Sequence, residues 1–596
     1  MGSCSSRWVG LALGLLTAAW VFHSAGEIAP LYGSAFQQGI WDVWFDADPD
    51  RVNLIMTADR HHGRDDHSER HPLFNTLVYF PTQGLVALGL EPPTAVRAVI
   101  ALAAGFWGAL FFVVLRMAGR RMLDAAVFTL VALTSGSALF FFPIPETFVF
   151  SSLTYLGGLA FLLLPGRRKT LGGYVLISAL TLSMAVTNWI MGLMITVSEL
   201  KIRPASLVTL LALALVMSLS ALQMSFFPSA RLPLTPAGEF ALVSWSGHGG
   251  PLAKLYSMFV TTAVVPPLHV VEDHFRATSL VFTAQHSLVS SPLGIAAATA
   301  WIALLGMGLA RFMRSRLRVL RLVVITTLAA QVVLHLAFGV ETFLFSLNFL
   351  PLLVLIASFC VEARQRRLSL LLAAFLIVTG FANNRSQFRA AATALQAVVE
   401  HQPVECLAKM ELREWCLGCS FVAADARTRP CRNYLKIRPA GLENGDISDF
   451  DTREVKARFG MGWDATNDTV QLSIANGHLT QGSLLVTGNE MGSGATFFPG
   501  PGPFVGVDLS DYRGISFMAR GSISNARIYF FSYDKAPLEL EKGFRGRDFS
   551  LTRDWARHEF KFEDFGLDGH DIGLISVASM EPGPFEFQLD DIRLTK

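Results

Sequence analysis

Apolar and polar positions divide the chain near residue 383. Before that point, apolar runs close to the ~20 residues that cross a bilayer as a helix fall at 8–25, 94–115, 123–142, 146–164, 171–187, 189–200, 205–227, 291–312, 319–338, 342–362 and 367–383. Counting the short run at 189–200, the pattern predicts about eleven spans. One further apolar stretch, His71 to Leu90, decides the orientation of all that follows. If it lies along the membrane, the basic clusters Arg116–Arg121, Arg167–Lys169, Lys201–Arg203, Arg311–Arg321 and Arg364–Arg367 share one side, as Lys- and Arg-rich cytoplasmic loops require. If it crosses, all of them fall outside. The expectation is therefore a juxtamembrane helix at 71–90. The loop 26–93, the turn Pro143–Glu146, the loop 228–290, the turn Gly339–Glu341 and everything after about 384 then lie on the outer face.

Past residue 440 the period shortens to two. Stretches such as "GISFMARG", "ARIYFFSYD", "ARHEFKF" and "FEFQLDDIRL", separated by Gly, Pro, Asp and Asn, predict a soluble all-β jelly-roll sandwich. The expected architecture is a polytopic α-helical membrane domain over 1–383, a polar connector over 384–440 and a β-sandwich over 441–596. A short echo links "PETFVFSSLTYL" from Pro145 with "VETFLFSLNFLPLL" from Val340, too short to establish a repeat architecture.

Composition agrees with this division. Of 596 residues, 52% are apolar and only 16% charged, so most of the chain belongs in lipid. The basic residues behind the net charge of +2 sit in clusters between apolar runs and form no single basic face, so no nucleic-acid partner is expected. Trp8 to Ala25 reads as a retained first span rather than a cleaved signal, because Ala25-Gly26-Glu27 is a poor cleavage site. The start MGSCSS fits the short, common myristoylation pattern at Gly2 and carries little weight. Cys406, Cys416, Cys419 and Cys431, spaced C-x9-C-x2-C-x11-C, fit two disulfides on an oxidising side or a zinc site; disulfides are the expectation.

Candidate chemistry concentrates between residues 39 and 74, where eight acids, four arginines and four histidines sit beside an apolar stretch. Asp46 and Asp48 of "FDAD" form an acidic pair suited to general-base or metal-ligand work; a solvated acidic loop is the plain alternative. The neighbouring "WDVWF" adds aromatics typical of a membrane interface or a stacking surface. Arg51, Arg60, Arg64 and Arg70 follow, and guanidinium forks suit phosphate oxygens as well as salt-bridge networks. "HHGRDDH" (His61, His62, Asp65, Asp66, His67) reads as a divalent-metal tract or a solvated loop, with the loop favoured and the metal left open. His71, just before Pro72 and the juxtamembrane helix, is placed at the membrane surface facing the acids. Glu146 and Glu341 stand at the outer mouths of two spans, as cavity-lining carboxylates or as helix caps. Asn188, Asn348 and "SWSGHGG" (244–250) are further cavity candidates, more readily explained as structural.

The combination of "FDADPDR" with "HPLF" at this separation, after a first span and before alternating spans with arginines inside, resembles the GT-C superfamily of membrane glycosyltransferases. The nearest resemblance is to the branch of protein mannosyltransferases and aminoarabinose transferases, over about 8–383. It implies a polyprenyl-phosphate-linked sugar donor, transfer on the outer face with inversion, and a first-loop acid as base, which maps onto Asp46 or Asp48. The W-W-D-Y-G type motif of oligosaccharyltransferases is missing, which argues against block transfer to asparagine. "ISDFDT", "VDLSDYRGISFMARG", "WARHEFKFEDFG" and "FQLDDIRL" resemble the galactose-binding-like fold of family 11 carbohydrate-binding modules and complex I intermediate-associated protein 30 domains, over about 440–596. That resemblance implies sugar binding or a scaffold, with Tyr533, Trp463 and Asp534 as candidate contacts and packing the readier explanation for the tryptophan.

The expected function is transfer of one sugar to a glycan, lipid or protein acceptor by a protein of the bacterial inner membrane, in contact with its lipids and with its carboxy-terminal domain in the periplasm. Arg51, Arg60, Arg70, His71, Glu146 and Glu341 are expected to bind substrate. The rival is a non-catalytic transporter or polysaccharide-export component with an outer glycan-binding domain; transporters more often carry charge within spans and broken helices in matching halves.

Overall fold

A computed structural model of the chain describes residues 4–32, 44–57, 68–227, 230–233, 250–271, 279–281, 291–337, 342–361, 365–400, 445–460, 462–466, 469–500, 506–532 and 544–596. They fall into two compact units, 1–403 and 404–596.

The first unit is helical. Its helices are α1 (Cys4–Glu27), α2 (Pro49–Thr57), α3 (Phe74–Ala87), α4 (Pro92–Met117), α5 (Met122–Leu133), α6 (Gly136–Phe141), α7 (Phe148–Leu162) and α8 (Leu171–Met184). There follow α9 (Trp189–Glu199), α10 (Ile202–Met224), α11 (Gly250–Tyr256), α12 (Pro292–Arg314), α13 (Arg318–Ala337), α14 (Ser346–Ala357) and α15 (Arg366–Glu400). One small antiparallel pair, β1 (His269–Val271) and β2 (Ser279–Val281), lies between α11 and α12.

Seven helical segments among the described residues are long and apolar enough to cross a membrane: α1, α4, α10, α12, α13, the Thr342–Cys360 stretch around α14, and α15. The other four predicted runs form shorter helices. The run 123–142 is interrupted at Thr134–Ser135, where the Ser135 hydroxyl accepts from Ala138 N at 3.2 Å and restarts the chain as α6. The runs 146–164, 171–187 and 189–200 yield α7, α8 and α9, of 15, 14 and 11 residues. At 1.5 Å per residue such helices reach only about 16–23 Å, short of a ~30 Å hydrocarbon core.

Packing fixes which ends of the bundle belong together. α1 and α4 run antiparallel: Gly10 meets Phe112, Gly14 meets Gly105 and Ala109, and Thr17 meets Gly108. Glu27 and Pro92 therefore lie at the same end, and the segment holding α3 returns to where it started instead of crossing. α5 and α15 run parallel. Arg366 pairs with Asp124 at their starts (Nη2–Oδ1 2.7 Å), and Asn384 Nδ2 donates to Thr134 O at 3.0 Å further along. Arg385 then pairs with Glu27 at that same end. α15 continues past the expected boundary at 383, because Phe388, Ala391, Ala392 and Leu395 recur at helical spacing and are buried.

A close approach between α1 and α4 yields a stability prediction. A Cβ on Gly105 would lie 2.7 Å from the Gly14 carbonyl oxygen and 2.9 Å from the Ala18 Cβ, whereas one on Gly84 meets nothing within 4 Å. Gly105→Val is expected to destabilise the bundle by about 1–3 kcal/mol through overpacking, read as a lowered unfolding temperature of the purified protein. Gly84→Ala should leave that temperature unchanged or slightly raised. Equal midpoints for both variants would refute the close crossing.

The second unit is an all-β sandwich. Its strands are β3 (Asp446–Ser448), β4 (Gly462–Ala465), β5 (Gln471–Asn476), β6 (Gly482–Gly488), β7 (Gly494–Phe498) and β8 (Gly514–Gly521). They continue with β9 (Asn525–Ser532), β10 (Phe544–Ser550), β11 (Ala556–Lys561), β12 (Ile572–Ser579) and β13 (Phe585–Thr595). One sheet has the order β10-β9-β12-β7-β4; the other runs β11-β8-β13-β6-β5, with β3 also on β13. The strand alternation does what the sequence predicts. Ile515, Phe517 and Ala519 of β8 and Phe585, Phe587 and Leu589 of β13 enter the core, with Leu484, Val486, Ile528, Phe530 and Ile575. Asp590 of β13 is fully buried and accepts from His478 N (2.6 Å), Leu479 N (3.0 Å) and Thr480 Oγ1, pinning the β5–β6 turn over the sheet.

Candidate functional site

The polar end of the helical unit carries the first candidate residues. Trp44 and Phe45 are fully buried and serve as anchors for the segment behind them. Trp44 Nε1 donates to Phe140 O at 3.1 Å, and Phe45 N donates to Leu280 O at 3.1 Å. The Phe45 ring packs edge-on against Trp44, Phe140 and Phe343, at 5.2–5.8 Å. So tightly held, the backbone turns sharply: Phe45 and Asp46 have φ of 53° and 63°. Two consecutive non-glycine residues in the left-handed region store about 1–3 kcal/mol each, which the aromatic anchoring offsets.

The turn closes with Ala47 N on Trp44 O (3.0 Å), and Asp48 begins α2. Its carbonyl accepts the first helical bond, from Val52 N at 3.2 Å, and Pro49 occupies the first helical position, where its missing N–H costs nothing. One turn on, Arg51 lies against two carboxylates. Its Nε donates to Asp48 Oδ2 at 3.2 Å, and its Nη2 stands 3.5 Å from Glu146 Oε1. Glu146 reaches back through the same oxygen to accept from Asp48 N at 3.2 Å. Its other oxygen accepts from the N–H and hydroxyl of Thr147 at the start of α7. Glu146 is thus both a cap for α7 and a clamp on the turn. The side chains of Arg51 and Glu146 are 8% and 4% exposed and that of Asp48 35%, so only Asp48 of the three faces outward appreciably.

Glu146 lies in the turn ahead of α7, outside the apolar helix. Burial raises its carboxyl pKa above the ordinary range; the Arg51 charge opposes the shift and the Asp48 charge adds to it. Arg51 is enclosed by carboxylates, which makes it a partner that holds the turn more than an open phosphate fork.

His71 is held at a different point. Its Nδ1 lies 2.8 Å from Met184 O at the end of α8; a carbonyl only accepts, so Nδ1 carries the proton and a neutral ring has its lone pair on Nε2. Arg70 O accepts from Val186 N at 3.0 Å, and its Nε stands 3.7 Å from the buried Glu69 carboxylate. The two halves of the loop thus dock on α7 and α8, joined through the Phe74 and Phe150 rings at 5.7 Å.

The sequence echo also meets in space. Phe141 lies 5.5 Å from Phe148 and 4.9 Å from Phe343, and Phe148 lies 6.4 Å from Phe345. Behind them Ser151 Oγ donates to Asn348 Oδ1 (3.1 Å), and Asn188 Nδ2 donates to Ser151 O and Oγ. Asn188 and Asn348 therefore belong to one buried structural network.

Other residues at this end were not singled out from the sequence. Tyr32 donates to Pro143 O at 2.5 Å and carries the Arg97 guanidinium over its ring at 5.2 Å. Asn383 Nδ2 bonds Val265 O (2.9 Å), and Asn384 Oδ1 accepts from Val265 N (3.0 Å). Lys254 is buried, donates to Leu336 O at 3.4 Å, and has its pKa pushed down by desolvation. The adjacent asparagines at the end of an apolar run were the one signal that sequence reading could have used.

Arg60, Arg64, His61, His62, Asp65, Asp66, His67, Glu341, "SWSGHG" (244–249), the four clustered cysteines, Tyr533 and Asp534 lie outside the described residues. Among the described residues, no group of three or more His, Cys, Asp or Glu side chains could hold a metal ion. Trp463 packs on Phe497 at 5.4 Å and donates from Nε1 to Ser448 Oγ at 2.9 Å, a structural role.

No protein-family model matches this chain, nor does any curated protein. The all-β unit resembles carbohydrate-binding modules of known structure. The family 11 module of the cellulosomal cellulase Lic26A-Cel5E of Clostridium thermocellum is 16% identical, covering 27% of this chain and 95% of the module, with a TM-score of 0.19. The family 11 module from Clostridium thermocellum in complex with a β-1,3-1,4-mixed-linked tetrasaccharide is 18% identical (25% and 94% covered, TM-score 0.19). A family 61 module in complex with β-1,4-galactotriose is 16% identical (27% and 99% covered, TM-score 0.19). At these identities and scores the likeness bears no functional argument.

Proposed function

We propose that the protein is a membrane glycosyltransferase that moves a sugar from a polyprenyl-phosphate donor to an acceptor outside the cytoplasm, with the sandwich holding a glycan. The observation that supports this most is the strained turn at Phe45–Asp46, fixed from behind by buried aromatics and from one side by the Asp48–Arg51–Glu146 cluster. Strain kept in place by so many contacts is characteristic of a functional carboxylate.

In this reading Asp46 is the general base, and Asp48, Arg51 and Glu146 position it. Asp46 takes the proton of the acceptor hydroxyl as its oxygen attacks the anomeric carbon. The bond to the phosphate breaks on the opposite face, the electron pair leaves with the polyprenyl phosphate, and the anomeric centre inverts. A phosphate leaving group needs cationic stabilisation, for which Arg60, Arg70 and His71 are the proposed contacts, with Glu341 proposed as an acceptor for sugar hydroxyls. The seven long apolar helices among the described residues fit a donor whose lipid stays in the bilayer.

The test is turnover of purified protein in lipid nanodiscs with a panel of radiolabelled polyprenyl-phosphate sugars, read as release of polyprenyl phosphate. Release that requires an added acceptor supports transfer. Passage of the intact lipid-linked sugar across the bilayer without release would favour the transporter class and overturn the proposal.

A further inference from the structure

The outward face of the six-stranded sheet carries a cleft of about 230 Å³ lined by Arg520, Gly521, Ser522, Arg553, Glu586, Phe587 and Gln588. Arg520 and Gln588 stand directly opposite each other on β8 and β13, on the side away from the core residues Phe517, Ala519, Phe587 and Leu589. Arg520 Nη2 donates to Gln588 Oε1 at 3.1 Å, and its guanidinium lies over the Trp555 ring at 4.8 Å. The His478 ring is stacked on Trp555 at 5.7 Å. Gln588 is buried and in turn accepts from Ser483 Oγ at 3.2 Å. The guanidinium is therefore fixed by a ring on its face and an amide at its edge, a preorganised fork.

Among the described residues, neither Arg520 nor Arg553 forms an ion pair with a carboxylate. Elsewhere on the sandwich Arg458 pairs with Asp449, Arg527 with Asp548, Arg547 with Asp564 and Arg557 with Asp591, whereas Arg453, Arg513 and Arg545 also form no such pair among the described residues. The cleft lining sets two guanidiniums against the single carboxylate of Glu586, leaving one net positive charge. Its volume is below the roughly 300–1,000 Å³ of a drug-sized pocket and suits a single sugar unit.

We propose that this cleft binds an acidic saccharide, with the sugar carboxylate on the Arg520 fork, Arg553 at the rim, and sugar hydroxyls on Glu586, Gln588 and Ser522. A charge-assisted bidentate contact supplies the affinity, and Glu586 is an acceptor suited to hydroxyls and not to a second acid. The inference rests on the sandwich holding a glycan and is independent of the transfer chemistry.

The experiment titrates the full-length protein in nanodiscs calorimetrically with tetragalacturonate, with a neutral tetrasaccharide of glucose, and with inorganic sulfate. The acidic sugar is expected to bind in a salt-sensitive way, and R520Q to weaken it about tenfold or more, with the unfolding temperature unchanged. R553Q, at the exposed rim, should weaken it less. Equal binding of the neutral sugar, insensitive to R520Q, would overturn the acidic preference while leaving glycan binding intact. Sulfate that binds as tightly as the acidic sugar would reduce the site to an anion trap and overturn the saccharide. Absence of binding by either sugar would overturn this inference together with the glycan-binding reading, but not the transfer reaction, which the release assay reads separately.

Discussion

Asp46→Asn is expected to lower sugar transfer by about 10²–10⁴-fold, the usual contribution of a positioned general base, with little change in unfolding temperature. The substitution separates charge from conformation. Asparagine, like aspartate, tolerates the left-handed backbone that Asp46 adopts at φ 63°, so the turn survives and only the basicity is lost. Asp48→Asn is expected to act differently. Its carboxylate accepts from Arg51 Nε, and its loss leaves Arg51 balanced by Glu146 alone. A smaller fall in rate, accompanied by a lower unfolding temperature, should result. The measurement is release of polyprenyl phosphate against the unfolding midpoint for each variant. Wild-type turnover in Asp46→Asn would remove the base from the mechanism; the reverse ranking of the two variants would move it to Asp48.

The second large effect concerns the buried pair. Arg51→Met leaves the Glu146 carboxylate buried beside Asp48 without its cation, and breaking such a pair on one side costs about 3–5 kcal/mol. The double variant Arg51→Met with Glu146→Gln removes both charges and should recover part of that loss, because the single oxygen of a neutral amide still accepts from one of the two N–H groups, Asp48 N or Thr147 N. The measurement is a double-mutant cycle on unfolding free energy. Additive losses would show that Arg51 and Glu146 do not act on one another. The cycle also bears on pH. Burial already raises the Glu146 pKa, and losing Arg51 raises it further, so the single variant should take up a proton at Glu146 at a higher pH than the wild type.

How much of this was legible beforehand differs by element. The helical and β halves were readable, because a bilayer-length apolar run and a period-two alternation are each written locally. Twelve of the helices follow such runs, and β8, β9, β11 and β13 follow the quoted alternating stretches. The α1–α4 antiparallel crossing brings Glu27 and Pro92 to one end, through side chains about ninety residues apart that no local pattern pairs. The break of the 123–142 run at Thr134–Ser135 was less legible, since both residues sit in a hydrophobic context and only the Asn384 side chain, far along the chain, takes up the Thr134 carbonyl. The continuation of α15 to Glu400 was hidden by its polar residues, which outnumber the buried stripe they flank.

The candidate site divides in the same way. "FDADPDR" marked where acids and arginine lie close along the chain, so the Asp48–Arg51 contact, three residues apart at the start of a helix, was within reach of sequence reading. Glu146 was noted as a carboxylate at a helix mouth, with capping and cavity as alternatives; the fold gives its two oxygens one task each. The Trp44–Phe45 anchoring, the left-handed turn and the Tyr32–Arg97 contact carry no local signal, because each depends on groups about a hundred residues away or on a backbone angle forced by them.

The sequence alone determined the class of each half and the short acidic stretch around which a site could be built, since these depend on hydrophobicity and spacing within a few turns of chain. Only the tertiary structure decided which carboxylate shares Arg51, that His71 is held by α8 and not by α7, and that Arg520 lies fixed under Trp555. Those pairings join residues up to about a hundred apart in the chain, and a sequence records which groups are present but not which of them the packing of buried aromatics brings within hydrogen-bond distance.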